Sequence, residues 1–240
     1  MHKILKKTII HCLASAAFLS AIAPATVKAV QTDEVDTSTN AVALQKLTKQ
    51  QQEIMDGMRQ KEQEYAAYGD AASVVADEKA TARSAYGAWS WRDGVIAVTD
   101  AGSSLLITNS WHAGIVAPQK KYVVAEAEGV GKKVRLASGD WGTKFRNNRV
   151  WQMGVKKTSI AQDYNAGKWA GQQVGKPYNL NFWNIKQKNS FYCSQLVWAA
   201  YYYTARVNLD KTDNNIGSAW AVHPGEFVSN PLTVLIYRNK

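Results

Sequence analysis

Phe191-Tyr192-Cys193-Ser194-Gln195-Leu196-Val197-Trp198 is the stretch that decides the reading of this chain. It stands where a polar-aromatic loop, Asn179 to Ser190, gives way to an apolar rhythm. Leu196, Val197, Ala200, Tyr201 and Thr204 recur at helical spacing, so a helix is expected over Cys193 to Ala205. Cys193 then opens that helix. An ordinary thiol, with a pKa of about 8.5, is mostly protonated near neutrality, whereas the thiolate is the nucleophile. The unpaired N–H groups at a helix start favour the anion. They can also hold the oxyanion that forms when a carbonyl is attacked. One position thus combines a nucleophile with part of an oxyanion hole.

The beginning of the chain bears on that cysteine. Met1 to Lys7 carries three lysines and no acid, and Thr8 to Ala25 runs apolar and small without an acid or a lysine. Val27-Lys28-Ala29 offers small-residue cleavage chemistry. This order reads as a secretory signal peptide over residues 1–29, and it places the mature protein outside the cytoplasm, secreted or in the cell envelope. Ile9-Ile10-His11 before Cys12 does not resemble a lipoprotein signal. Of two cysteines and four histidines, Cys12, His2 and His11 would leave with the signal. Cys193 would then be the single mature thiol, unable to form an internal disulfide, beside His112 and His223. A lone cysteine is either a buried small hydrophobe, an intermolecular link or a reactive thiol. Lys3, Lys6, Lys7 and Lys28 would also leave, taking the formal charge from +10 to +6. A moderately basic surface suits contact with an anionic cell wall or membrane surface, and equally suits plain solubility. No nucleic-acid-binding motif is present, so no nucleic-acid partner is expected.

Residues 30–40 are polar and acidic without hydrophobic rhythm, a disordered lead-in. Residues 41–88 carry an amphipathic stripe of Leu44, Leu47, Ile54, Met58, Tyr65 and Tyr68, which reads as a helical segment. The texture changes at Trp89. Short β-branched runs follow at Gly94–Thr99, Leu105–Thr108, His112–Ala117, Tyr122–Ala127, Lys133–Leu136 and Val150–Val155, with Gly, Asn, Pro and Lys between them. A helix is expected over Ser159 to Val174, with Ala161, Tyr164, Trp169 and Ala170 inward. Gly175-Lys176-Pro177 ends it. A last strand covers Leu232 to Tyr237. A sheet followed by helices over residues 89–240 is an α+β domain.

A catalytic thiol needs a base within hydrogen-bond reach. His112 opens a strand, where its ring would be held rigidly, and His223 lies in the turn-like Ala221-Val222-His223-Pro224-Gly225. Position alone leaves both in contention. A third group should accept the other imidazole N–H. Glu126 and Glu128 share one face of the next strand by alternation. Asp93, beside the first strand, is a further candidate. Trp111, Tyr178, Phe182, Trp183 and Tyr192 are the aromatics that could line an acyl pocket, with core packing as the competing role. Two histidines and one cysteine make no recognisable metal-ligand spacing, and no cofactor is called for.

Taken in order, Asp93-Gly94-Val95-Ile96, Trp111-His112-Ala113-Gly114-Ile115-Val116, Ala125-Glu126-Ala127, Gly175-Lys176-Pro177-Tyr178-Asn179 and the Cys193 stretch resemble the circularly permuted, NlpC-type papain-like hydrolases. The likeness is to the group called YiiX/YebB-like or YycO-like. It covers roughly Trp89 to the C-terminus and leaves the helical segment outside. The resemblance implies an antiparallel sheet packed against helices, with the histidine strand ahead of the cysteine helix. It implies Cys193 as nucleophile, His112 as base and Glu126 as the orienting residue, and it demotes His223 and Glu128. That family's first strand usually begins Gly-Asp, whereas this chain has Asp93-Gly94. The implied activity is hydrolysis of an amide through a thioester acyl-enzyme, with cell-wall peptides as substrate. Relatives acting on lipid acyl groups, of the lecithin:retinol acyltransferase type, and a non-catalytic wall-binding protein are the rival readings.

Overall fold

A computed structural model describes residues 49, 85–101, 111–182, 184–211 and 221–240. The expected signal peptide and lead-in, most of the expected helical segment, the strand expected at Leu105–Thr108 and Trp183 lie outside the described residues.

Among the described residues, six strands form one sheet. They are β1 (Ile96–Thr99), β2 (His112–Val116), β3 (Val123–Ala127), β4 (Val134–Ser138), β5 (Val150–Val155) and β6 (Thr233–Arg238). The order across the sheet is β4-β3-β2-β1-β5-β6, and every neighbouring pair is antiparallel. Four helices accompany them: α1 (Trp141–Lys144), α2 (Ile160–Gly171), α3 (Cys193–Ala205) and α4 (Glu226–Ser229). The molecule is therefore α+β, as expected. β5 and α3 keep the expected bounds, and the other expected strands and the helix before Gly175 shift or shorten by a few residues. α1 and α4 were not foreseen.

Both faces of the sheet are covered. Alternation along β1 sends Ile96 and Val98 into one core with Ala113, Ile115, Ala125, Leu196 and Ala200, on the side of α2 and α3. It sends Val95 and Ala97 into a second, smaller core with Val116, Val124, Trp141 and Val150. Burial on both sides explains why these strands read as continuous apolar runs rather than half-polar ones.

The inward face of α2 corrects the sequence reading. Ala161 is exposed and Tyr164 is 41% exposed, while Asp163, Ala166, Gly167, Ala170 and Gly171 are buried. Of the four expected inner residues Ala170 is buried, and Trp169 packs partly buried at the core margin. Small residues face inward because the helix runs against backbone. A Cβ on Gly167 would stand 2.4 Å from the Val116 carbonyl oxygen and 3.0 Å from the Gly94 nitrogen. Gly94, at φ +80°, meets the Asp163 backbone in turn. The buried Asp163 carboxylate pairs with Arg92, accepts the Thr158 hydroxyl at 2.6 Å and faces the Tyr201 hydroxyl at 3.2 Å. Tyr201 also donates to the Gly94 carbonyl at 2.6 Å, so this cluster ties α2, α3 and the entry to β1 together.

Candidate active site

The site forms where two strands part. The Val116 N–H and C=O bond to β1 through Val95 and Gly94, so odd-numbered residues of β2 turn their amides toward β3. The β2–β3 ladder pairs Ile115 with Ala125 and Val116 with Val124, and no further toward His112. The Ala113 amide, which would have continued that ladder, faces the Cys193 sulfur instead and helps lower its pKa. The start of α3 thus lies at the opening between β2 and β3.

That start is fastened on several sides. Gln195 Oε1 accepts the Tyr192 N–H at 3.3 Å and the Asn179 side-chain amide at 2.8 Å. Its Nε2 donates to the carbonyls of Ile185 and Gln187, at 3.0 and 3.2 Å. Ser194 Oγ donates to the Val222 carbonyl at 2.7 Å, and the Val222 amide donates to the Tyr192 hydroxyl at 2.9 Å. Cys193 is held with only 7% of its surface exposed.

His112 and Glu126 project from the same sheet face, beside Gly114. His112 Nε2 lies 2.8 Å from Glu126 Oε2, and both side chains are buried. Nδ1 has no conventional hydrogen-bond partner, which leaves it as the ring nitrogen for the Cys193 thiol. Trp141, the first residue of α1, lies flat against the imidazole, with centroids 5.0 Å apart and planes 14° apart. Gly114 makes this possible. A Cβ there would stand 2.5 Å from Val124 Cγ1 and 3.1 Å from the Trp141 ring.

Glu126 also faces two cations. Arg135 sits directly across the β3–β4 ladder and reaches Glu126 Oε1 at 2.9 Å, and Lys144 stands 3.7 Å from the same oxygen. Burial would raise the Glu126 pKa, but the His112 hydrogen bond and charge, with Lys144 and Arg135, bring it down to about 2. Burial would lower the His112 pKa, yet its interactions with Cys193 and Glu126 carry it up to about 9. Burial would raise the Cys193 pKa, and His112, the Ala113 amide and the Ser194 hydroxyl bring it below its ordinary value. The two shifts move toward each other, which favours a thiolate beside an imidazolium. Such a pair is a nucleophile with its proton donor already in place.

The remaining candidates lie as follows. Tyr178 is partly buried, bridged to Phe191, and near enough to Cys193 that burial and the thiolate charge both push its pKa up. Trp111 turns to the opposite sheet face from His112 and stacks on Trp151 at 4.9 Å. The Tyr192 ring is wholly buried with its hydroxyl used by the Val222 backbone, so it has no open face for a ligand. Phe182 is likewise buried, edge-on to Tyr192. Glu128 bonds Arg135 at 3.0 Å and lies one residue beyond the end of β3. Asp93 stands near the opposite end of β2, beside Val116 and Ala117. His223 is buried in the turn before α4, its backbone N–H on Glu226, and the sulfur's partners are His112, Ala113 and Ser194. Trp141, Arg135 and Lys144 escaped the sequence reading. Asp140-Trp141-Gly142-Thr143 was the available signal for Trp141, since Asp140 caps α1 by accepting the Thr143 amide at 2.6 Å.

Comparison with known proteins bears on the whole arrangement. Residues 96–224 match the family described as permuted papain-like amidase enzyme, YaeF/YiiX, C92 family. A search of curated proteins finds no match. Among solved structures, a similar chain is that of the metalloprotein YiiX from Escherichia coli O157:H7, 19% identical, with a TM-score of 0.46, covering 61% of this chain and 97% of that one. Among the described residues, no group of three or more His, Cys, Asp or Glu side chains is gathered to hold a metal ion. The family match runs from the first residue of β1 past Cys193 to Pro224, more than half of the chain, and on that ground the protein belongs to the permuted papain-like amidases of the C92 family and is a cysteine hydrolase.

Proposed function

We propose that the protein is an extracytoplasmic amidase that cleaves peptide bonds in cell-wall peptides, with Cys193, His112 and Glu126 as its catalytic set. The observation that carries the reading is His112 held at 2.8 Å by a buried carboxylate, with its second nitrogen left for the only cysteine among the described residues. The Cys193 thiolate attacks the scissile carbonyl carbon, and a C–S bond forms. The oxyanion draws on the Cys193 N–H at the start of α3. Imidazolium His112 gives its Nδ1 proton to the departing amine as the C–N bond breaks, leaving a thioester. His112, now neutral, takes a proton from water, and the hydroxide equivalent attacks the thioester. The acid departs and the thiolate returns. Glu126 accepts the Nε2 proton's hydrogen bond throughout, which fixes which nitrogen faces sulfur. Tyr178, whose pKa is pushed well up by burial and by the nearby Cys193 thiolate, is the aromatic proposed to contact the substrate. Residues 1–29 support an envelope location, and a cell-wall peptide is the polymer met there.

The test is hydrolysis of a peptidoglycan digest by the full chain and by Cys193→Ala, read by mass spectrometry. Loss of cleavage on the order of 10⁴-fold or more is expected. Equal cleavage by both would refute the nucleophile. Release of a fatty acid from an acyl lipid, with the digest untouched, would replace the peptide by a lipid.

A further inference from the structure

A second cleft lies at the far end of β2, away from the thiol. Its volume is about 490 Å³, within the range of roughly 300–1,000 Å³ usual for small-ligand sites. Trp91, Asp93, Val116, Pro118, Lys120, Lys121, Tyr122 and Tyr164 surround it. His112 and Val116 are the two ends of one five-residue strand, about 13 Å apart at the usual rise. The cleft is thus separate from the catalytic opening.

Three aromatic side chains border an open, shallow space. Tyr122 is 60% exposed and Tyr164 is 41% exposed. Trp91 meets Tyr122 edge-on at 5.4 Å, which braces the exposed ring. Burying such rings in a core is favourable, so leaving two of them outward at one cleft needs a reason. Tyr122 adds another. It sits at φ 60°, a left-handed conformation where glycine or asparagine would be at ease and a bulky side chain is strained.

The polar groups complete the pattern. The Asp93 carboxylate, with its pKa raised by burial, has neither a hydrogen bond nor an ion pair among the described residues. This is the residue of the first-strand motif that the catalytic set does not use. Lys120 and Lys121 stand exposed at the rim. Aromatic faces suit the C–H face of a sugar ring, and a carboxylate accepts paired hydroxyl donors. Two ammonium groups favour a ligand that carries negative charge.

We infer that this cleft binds an oligosaccharide, and preferentially an acidic one, through Tyr122, Tyr164 and Asp93, with Lys120 and Lys121 selecting for charge. The site would hold the protein on a glycan while the thiol acts elsewhere, and its existence does not depend on which bond Cys193 cleaves.

The experiment uses the full chain carrying Cys193→Ala and titrates it with two tetramers, one of galacturonic acid and one of N-acetylglucosamine, by calorimetry. Both should bind, the acidic one tighter. Tyr164→Ala and Asp93→Asn should each weaken binding roughly tenfold, with an unchanged melting temperature. Lys120→Ala with Lys121→Ala should abolish the preference for the acidic tetramer while sparing the neutral one. Tyr122→Gly is the discriminating variant, because it relieves the backbone and removes the ring. It should melt no lower than the parent and still lose binding. Absence of binding by either tetramer at millimolar concentration would overturn the inference, as would binding that survives Tyr164→Ala and Asp93→Asn. Neither result would touch the hydrolytic reading, which stands or falls with Cys193.

Discussion

Glu126 and Asp163 are both buried carboxylates with an arginine beside them, yet their surroundings differ in kind. Glu126 holds an imidazole whose other side faces a thiol, with Arg135 and Lys144 behind it. Asp163 holds Arg92 and two hydroxyls, from Thr158 and Tyr201, the latter with its pKa pushed well up by burial. The first carboxylate is coupled to a group that can exchange a proton, while the second pins backbone segments. A buried acid is therefore a poor marker of catalysis by itself. What it holds decides its role.

The largest effect is expected at Glu126. Glu126→Gln removes the charge and keeps the shape, and kcat/KM should fall by roughly 10²- to 10⁴-fold. Its pH profile should move as well. On the proposed mechanism the parent's thiolate–imidazolium form should be lost on the alkaline side as His112, its pKa carried up to about 9, gives up its proton. Glu126 is one cause of that elevation, so without its charge His112 gives up its proton at lower pH and the alkaline limb should shift toward acid. An unmoved limb would show that Glu126 does not govern the imidazole.

Asp163→Ala is the matched contrast. It strands Arg92 and frees two hydroxyls at the junction of α2, α3 and β1. Arg92 is 40% exposed, so solvent absorbs part of the loss, and a cost of about 2–3 kcal/mol in denaturant unfolding is expected. Turnover per folded molecule should be unchanged. A large loss of turnover with intact stability would show that Asp163 serves the reaction as well as the fold.

Gly114→Ala tests the packing that brings Trp141 onto His112. The added methyl has no room against Val124 and the indole, and overpacking of this kind costs about 1–3 kcal/mol. Activity should fall several-fold as the imidazole loses its flat support, measured as kcat at saturating substrate. The smallest effect belongs to Arg135→Gln. Arg135 is one-third exposed and Lys144 remains as a second cation on Glu126, so a decrease of roughly two- to fivefold in kcat/KM is expected.

The difference between these regions also explains what the sequence disclosed. The helix from Cys193 to Ala205 was legible to its boundaries because Leu196, Val197, Ala200 and Tyr201 mark one face and a loop of different composition precedes them. The His112 strand was legible because Ala113, Gly114, Ile115 and Val116 follow the histidine as one short, partly β-branched apolar run. Choosing His112 over His223 needed more than residue type, since nothing local separates a strand histidine from a turn histidine. The inner face of α2 was misread for a physical reason. A hydrophobicity pattern selects Tyr164, whereas contact with backbone at Val116 and Gly94 demands Gly167 and admits a charged Asp163 only because Arg92, Thr158 and Tyr201 meet it there. α1 was invisible because four residues span barely one helical turn and establish no period. With it went Trp141. Arg135 could not be assigned to Glu126 without the register of β3 against β4, nor Lys144 without the placement of α1, and no local pattern encodes either.

The parting of β2 from β3 has one consequence beyond positioning. The Ala113 amide leaves the β2–β3 ladder and faces a sulfur atom rather than a carbonyl oxygen. Any chemistry at that sulfur, whether protonation, acylation or oxidation, alters what this backbone proton is bound to. The sheet thereby carries a built-in indicator of the thiol: the resonance and solvent exchange of a single main-chain proton should report whether the sulfur is free, acylated or oxidised.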